Sequence, residues 1–466
     1  MPILSPMPGI DWTAEGDRCV GLLQDLIRIP TVNRGADTTT EGHERPAAER
    51  VAEYLRAAGL EPRLVEPEPG RTSVITRVAG TGEKPPLLLT AHLDVVEAEP
   101  SRWRHPPFGG EIHDGYVWGR GAIDMKHMAA MSATVMALLA KGAHDKKLAR
   151  DVIFAAVADE EAGSAKGSFW VVDQHPDLVR AEYALGEIGG FSLHLFGRTF
   201  YPIQIAEKGT CWVRATFRGQ PGHGSMPDPN SAVIKLARAL ARLGKTRLPI
   251  HPTEAVELSF AQIAANLPQP QRAVLGKLTT PQVAGLILDY LVRDPNQRRS
   301  FGALLSNTAT PTVVRAGTKS NVIPSLATVE IDGRTLPGQS TDAFLAELRE
   351  ALGPADIEPA DFEVLNAHPP TTTPHETALF EQLQASLRRH DPHGIPIPFM
   401  IPGFTDAKAF SKLGTKYYGF APVKFDPTRE LDFSRMYHGD DERAPVAGLH
   451  WGLQVLFDAV VGISAA

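Results

Sequence analysis

The sequence predicts an α/β protein, a mostly parallel sheet flanked by helices, with a second α+β domain inserted into it. Three observations lead there. Helix-period and strand-period segments alternate over residues 1–202, the pattern of a sheet covered on both faces. Near Ile203 the texture changes to two-residue alternation, and the α/β texture resumes near Thr341. Finally, 466 residues are too many for one hydrophobic core. The expected division is therefore a discontinuous domain of residues 1–202 and 341–466 and an insert of residues 203–340.

The elements follow in order. Cys19–Ile27 has helical apolar spacing and stops at Pro30, and Ala47–Ala58 forms a second helix ended by Gly59. Strands are expected at Ser73–Val78, Pro86–Ala91, Val152–Ala158 and Tyr183–Leu185, separated by helical Met125–Leu139 and Gly167–Val172. In the insert, CWVRATFRG alternates as a strand, and DPNSAVIKLARALARLG is a helix with Asp228 at its start and Gly244 at its end. VVRAGTKSNVIPSLATVEIDGRTL reads as two strands around a turn, and 251–310 as a mainly helical elaboration without assigned chemistry. No internal repeat is found.

Composition narrows the function. A net charge of −7, with no basic run interleaved with aromatics, gives no reason to expect a nucleic-acid partner. Two cysteines, Cys19 and Cys211, make no disulfide framework and fit a reducing compartment. The N-terminal MPILSPMPGIDW lacks the basic and apolar regions of a signal peptide. The apolar stretches Met128–Ala140 and Leu449–Ile463 are short or interrupted by polar residues, so they read as core helices and no membrane partner is expected. The cytoplasm is the expected location.

Ligands of open α/β sheets lie beyond the carboxyl ends of the strands, and there the chemistry collects. AHLD supplies His92 and Asp94, GRGAIDMK supplies Asp124, and VIFAAVADEEAG supplies Asp159, Glu160 and Glu161. YALGEIGG adds Glu187, and DFSRMYHGDDE adds His438 before the last helix. Singly these have ordinary explanations, Asp124 as a helix N-cap and Glu160–Glu161 as a solvated turn. Together, so many acidic groups and two histidines at one sheet edge would repel unless cations neutralised them. Imidazole and carboxylate donors without thiolates suit zinc, with cobalt or manganese as substitutes.

HLDVV, W..PPFGGEI.DGYVWGRGAIDMK, DEEAG, GEIGG and YHGDDER, in this order, resemble the di-zinc exopeptidase family. It contains aminoacylases, glutamate carboxypeptidase, and acetylornithine and succinyl-diaminopimelate deacylases. The long insert and RMYHGDDER are most similar to the branch holding carboxypeptidase S and the N-acyl-amino-acid hydrolases. The resemblance implies the zinc-exopeptidase fold, with the insert as a lid and dimerisation domain and a homodimer formed through it. It implies two divalent ions bridged by Asp124, one completed by His92 and Glu187, the other by Glu161 and His438. Glu160 would be the general base, and Asp94 would bond the far ring nitrogen of His92. GQPGHGSMPDPNSA implies that His223 reaches a neighbouring subunit's site to stabilise an oxyanion. GTKSNVIPS, EIDGRTLPG and PGFTDAKAF imply that Asn321, Arg334, Gly403 and Thr405 receive a substrate carboxylate. His127, where small residues are usual, has no account, and His105, His113 and His194 match no ligand position.

Competing signatures fail. ARLGKT follows a helix and has Ala239 where a phosphate loop needs glycine, HETAL lacks a second histidine, and there is no GxSxG. The expected activity is hydrolysis of an amide next to a free carboxylate, in an N-acyl amino acid or a short peptide. A dipeptidase and a catalytically silent, metal- or amino-acid-binding relative are the alternatives.

Overall fold

A computed structural model describes residues 9–35, 43–143, 147–354, 357, 361–428 and 436–465. The chain forms two compact units: Met1–Ile205 with Thr373–Pro398 and Thr405–Ala466, and Ala206–Thr372 with Phe399–Phe404.

In the first unit the sheet runs in the order Arg63–Val65, Ser73–Val78, Val152–Val157, Leu87–His92, Tyr183–Gly186, Lys416–Gly419, Arg198–Glu207. The four middle strands of this series, from Val152–Val157 to Lys416–Gly419, are parallel to one another, and both flanks are antiparallel. Leu87–His92 and Val152–Val157 are buried at every position, which explains runs such as LLLTAH and VIFAAV that do not alternate. One face carries Ile153, Ala155 and Val157 against Val171, Val172 and Phe410 of Ser168–Gln174 and Ala407–Ser411. Lys126–Ala140 packs on Leu87–His92 and on two further helices, Trp12–Arg28 and Val446–Ser464.

Val446–Ser464 is, among the described residues, the one helix long and apolar enough to cross a membrane, with a mean hydropathy of 1.5. It lies mostly buried against Trp12–Arg28, Lys126–Ala140 and Ala378–His390. Lys126 is also fully buried. Its Nζ donates to the carbonyls of Leu26 at 2.9 Å and Ile29 at 2.8 Å, closing the end of the first helix.

The second unit is a four-stranded antiparallel sheet, Thr308–Ala316, Leu326–Thr335, Gly209–Arg218, Phe362–His368. The inward residues Cys211, Val213, Ala215 and Phe217 pack against Leu236 of Ala232–Leu243 and Phe344 and Leu348 of Thr341–Leu352. Here the boundary expected near Thr341 is corrected. Thr341–Leu352 and Phe362–His368 belong with the insert, because one buries Phe344 on its sheet and the other extends that sheet, so the return is at Thr373. The 251–310 stretch folds mainly as Glu254–Ala265, Gln271–Gly276, Pro281–Leu286 and Pro295–Leu305.

Lys208, fully buried in this unit, donates to the Ser306 carbonyl at 2.6 Å. Burial first, and then the Arg334 charge, push its ammonium from 10.5 down to about 7. Between those values the unfolded chain holds a proton that the folded chain has released, so this group makes stability rise with pH across the window. Lys208→Met removes that slope. The melting temperature of Lys208→Met minus that of the native chain should therefore fall between about pH 7 and about pH 10, read by calorimetry; a constant difference would refute the assignment.

Candidate metal centre

The parallel register brings the strand ends level. His92 ends its strand opposite Val157, and Leu89 pairs with Leu185, two residues before Glu187. Asp159 turns the chain after Val157 in the left-handed region, φ 65°, and Glu160–Ala162 form a short 3-10 turn. Glu187 precedes Ile188, a β-branched residue at φ 59°, a strained conformation. The Tyr417 hydroxyl accepts from the Glu187 N–H at 3.1 Å and fixes the entry to that turn.

These ends, the loop before Lys126–Ala140 and the C-terminal loop converge. His92 Nε2 lies 3.3 Å from Asp124 Oδ1 and 3.9 Å from Glu187 Oε2. His438 Nε2 lies 3.2 Å from Asp124 Oδ2 and 3.1 Å from Glu161 Oε2. Each Asp124 oxygen thus faces a different imidazole, and the donors fall into the groups His92–Asp124–Glu187 and Asp124–Glu161–His438. Asp124 does not cap the helix, which begins at Lys126 without a side-chain cap. Glu160 Oε2 is 4.0 Å from His92 Nε2 and Glu161 Oε2 faces His438, while Glu160 and Glu161 also form a donor group with His92.

The donor set fits divalent ions. Donors at tetrahedral zinc bond lengths are separated by about 3.3 Å, close to the spacings found. His92 Nε2, Glu161 Oε1 and Glu187 Oε1 are buried without a hydrogen-bond partner. His92 Nδ1 lies 3.0 Å from the Asp94 main-chain carbonyl, which can only accept, so the proton sits on Nδ1 and the Nε2 lone pair faces the cluster. Burial and then neighbouring carboxylates push Glu160, Glu161 and Glu187 upward. Hydrogen bonds to Asp124 and Glu161 push His438 up to about 10. Without cations the cluster holds protons, and cations would replace them.

Asp94 meets the far nitrogen of His92 twice: its main-chain carbonyl lies 3.0 Å from Nδ1 and its carboxylate Oδ1 3.5 Å from it. That carboxylate also accepts the N–H groups of Glu160 at 3.1 Å and Glu161 at 3.0 Å. Sequence reading missed what stands behind it. Asn33 Nδ2 donates to Asp94 Oδ2 at 2.9 Å and Asp159 Oδ1 at 3.0 Å, and its Oδ1 accepts from Arg71 at 3.0 Å. Arg71 in turn pairs with Glu44 at 2.6 Å, both buried. These residues match no motif; the one signal was polar side chains flanking helical ends near strands.

Of the remaining candidates, His223, Asn321, Arg334 and Gly403 belong to the second unit and Thr405 to the first. His223 pairs through Gly222–His223 with Val322–Ile323, beside Asn321, whose carbonyl accepts from Gly224 N–H at 2.9 Å. Both are exposed, and His223 Nδ1 contacts Ser225 Oγ at 2.7 Å. Arg334 makes a two-pronged ion pair with Asp332 at 2.7 and 3.0 Å. Gly403 belongs to the inserted unit, and Thr405 is buried in the other, its Oγ1 accepting from Ala407 N–H at 3.1 Å.

Of the leftover histidines, His194 bridges Thr199 and the Phe425 carbonyl, and His127 is buried, its imidazole pushed down to about 4 by burial. His105 and His113 gather with Glu111, but their rings stack at 3.7 Å, so the lone pairs run parallel rather than converge.

Residues 88–461 match the peptidase family M20/M25/M40. The chain belongs to that family. It is a metal-dependent hydrolase. It is 29% identical to the N-fatty-acyl-amino acid synthase/hydrolase PM20D1 of Xenopus tropicalis, over 92% of this chain and 82% of that protein. It is 27% identical to a probable carboxypeptidase S-like 2 of Dictyostelium discoideum, over 78% of this chain and 68% of that one. Its fold matches the M20 family metallo-carboxypeptidase Sso-CP2 of Sulfolobus solfataricus, TM-score 0.67 at 19% identity, over 96% of this chain and 100% of that one.

Metal occupancy should be legible in stability. An ion held at a hundred times its dissociation constant adds about 2.7 kcal/mol per site. Chelation should lower the melting temperature of this family member and zinc should restore it, whereas Asp124→Ala should melt identically with and without zinc. A zinc response surviving in Asp124→Ala would remove Asp124 from the centre.

Proposed function

We propose that this enzyme hydrolyses an amide bond adjacent to a free carboxylate, in an N-acyl amino acid or a short peptide, with Glu160 as general base. The observation that carries the reading is the pair of donor groups meeting at Asp124, with Glu160 beside them, 4.0 Å from His92 Nε2. The relatives named above, an N-fatty-acyl-amino acid hydrolase and a carboxypeptidase, support the substrate class.

His92, Asp124 and Glu187 would hold one divalent ion and Asp124, Glu161 and His438 the second, zinc being the best fit to imidazole and carboxylate donors. When bound, such ions supply Lewis acidity, polarising an amide carbonyl and lowering the pKa of water. Glu160 takes the proton from the attacking water and delivers it to the leaving amine. Asp94 fixes the backbone of Glu160 through the N–H it accepts. The carboxylate of the substrate falls to Asn321, Gly403 and Thr405, and to Arg334 once it exchanges Asp332 for substrate.

A homodimer formed by the inserted unit, with His223 serving the neighbouring site, belongs to the same reading. Its support is the exposed Val314 on the edge strand Thr308–Ala316 and the exposed Val233 and Ile234 on Ala232–Leu243. A reducing, cytoplasmic location is proposed from Cys19 and Cys211, both buried free thiols.

The deciding experiment is amine release from N-acyl amino acids, dipeptides and their C-terminally amidated counterparts, with zinc and with chelator. Metal-dependent release should vanish on amidation and fall by about 10²- to 10⁴-fold in Glu160→Gln. Release from dipeptides alone would make the enzyme a dipeptidase, and no release with both ions bound would favour a silent relative. Light scattering should give a dimer. A fully active monomer would overturn both the dimer and the role of His223 in its partner's site.

A further inference from the structure

Glu442 lies in the C-terminal YHGDDER segment, four residues beyond His438, is completely buried and faces none of the metal donors directly. Its carboxylate is nonetheless saturated. Oε1 accepts the N–H groups of Ile123 at 2.6 Å and Asp124 at 3.0 Å, and Oε2 accepts Gly121 N–H at 3.0 Å and Arg120 Nη1 at 2.8 Å. Its own carbonyl accepts Gly119 N–H at 3.0 Å. The segment Gly119–Asp124 is a turn without helix or strand; it is held by this carboxylate together with main-chain bonds from Arg120 N–H to the Pro107 carbonyl at 2.8 Å and from Ala122 N–H to the Gly119 carbonyl at 3.1 Å.

Arg120 reaches the other way. Its Nη2 donates to the carbonyl of Gly439, next to His438, at 2.8 Å and to that of Glu97 at 3.2 Å. The guanidinium lies over the Trp103 ring at 5.3 Å, and only 2% of the residue is exposed. One buried ion pair therefore ties the main chain of Asp124 to the main chain beside His438, two residues far apart in sequence whose side chains meet at Asp124 Oδ2. His438 stands at φ 54°, outside the ordinary range for its side chain, and needs such a restraint.

A bare buried carboxylate is costly, and four donors, one of them charged, offset the cost while fixing direction. A neutral residue of similar shape could not accept four hydrogen bonds. A lysine at 120 would keep the charge and lose the fork that reaches both Glu442 and Gly439.

We infer that Glu442, locked by Arg120, is a positioning residue that sets Asp124 and His438 in register and thereby determines metal affinity. The inference rests on the metal-centre reading above but not on the identity of the substrate.

The test is titration of the chelator-stripped full-length chain with Co²⁺, following visible absorption, for the native protein, Glu442→Gln, Arg120→Lys and Leu348→Ala. The last, in the other unit's core, controls for loss of stability alone. Glu442→Gln and Arg120→Lys should each weaken Co²⁺ binding by about 10- to 100-fold and alter the absorption bands. Leu348→Ala should titrate like the native chain. Should Glu442→Gln not fold, Arg120→Lys carries the same comparison. Native affinity and spectrum in folded Arg120→Lys or Glu442→Gln would overturn the inference. A native chain that takes up no Co²⁺ would instead overturn the metal centre itself.

Discussion

The metal centre depends on one buried carboxylate that coordinates nothing. Asp94 accepts the N–H groups of Glu160 and Glu161, and its main-chain carbonyl orients His92. It thereby couples the tips of two adjacent parallel strands, so that Glu160, Glu161 and His92 share one frame. A strand end by itself fixes backbone direction but not the turn that follows. The turn at Asp159, in the left-handed region, holds because Asp94, Asn33 and Glu44 surround it with hydrogen bonds.

Charge explains why the frame must be so stiff. Four acidic side chains and two imidazoles within a few ångströms form a stable arrangement only with positive charge among them. Protons can serve, as the upward shifts of Glu160, Glu187 and His438 indicate, but protons let donors reorient. Divalent ions demand particular directions, and the second layer of Asp94, Tyr417, Glu442 and Arg120 keeps the donors pointing that way before an ion arrives.

The fold and the donors were legible in the sequence to different depths. Ser73–Val78 and Val152–Val157 appear where their patterns place them, because strands buried over most of their length leave largely apolar runs bounded by turns. The candidate donors were legible because short motifs keep them at strand ends. What escaped was set by long-range pairing. Phe362–His368 has an exposure pattern typical of an edge strand and joins a sheet whose other members lie far upstream. The main-chain contact of Asp94 to His92, beside that of its carboxylate, is not reported by residue spacing. Arg71, Glu44 and Asn33 were invisible for the same reason, their partners being more than twenty residues away.

Those three residues have a practical consequence. The family match begins at residue 88, after Asn33, Glu44 and Arg71 and after the helix Trp12–Arg28 whose end Lys126 closes. A fragment trimmed to the match would retain every donor atom yet lose the polar scaffold behind Asp94 and a wall of the core beneath Asp124. Asn33, Glu44, Arg71 and the helix Trp12–Arg28 thus brace the site from outside the matched region, and chimaeras with relatives should exchange them together with the strands they brace.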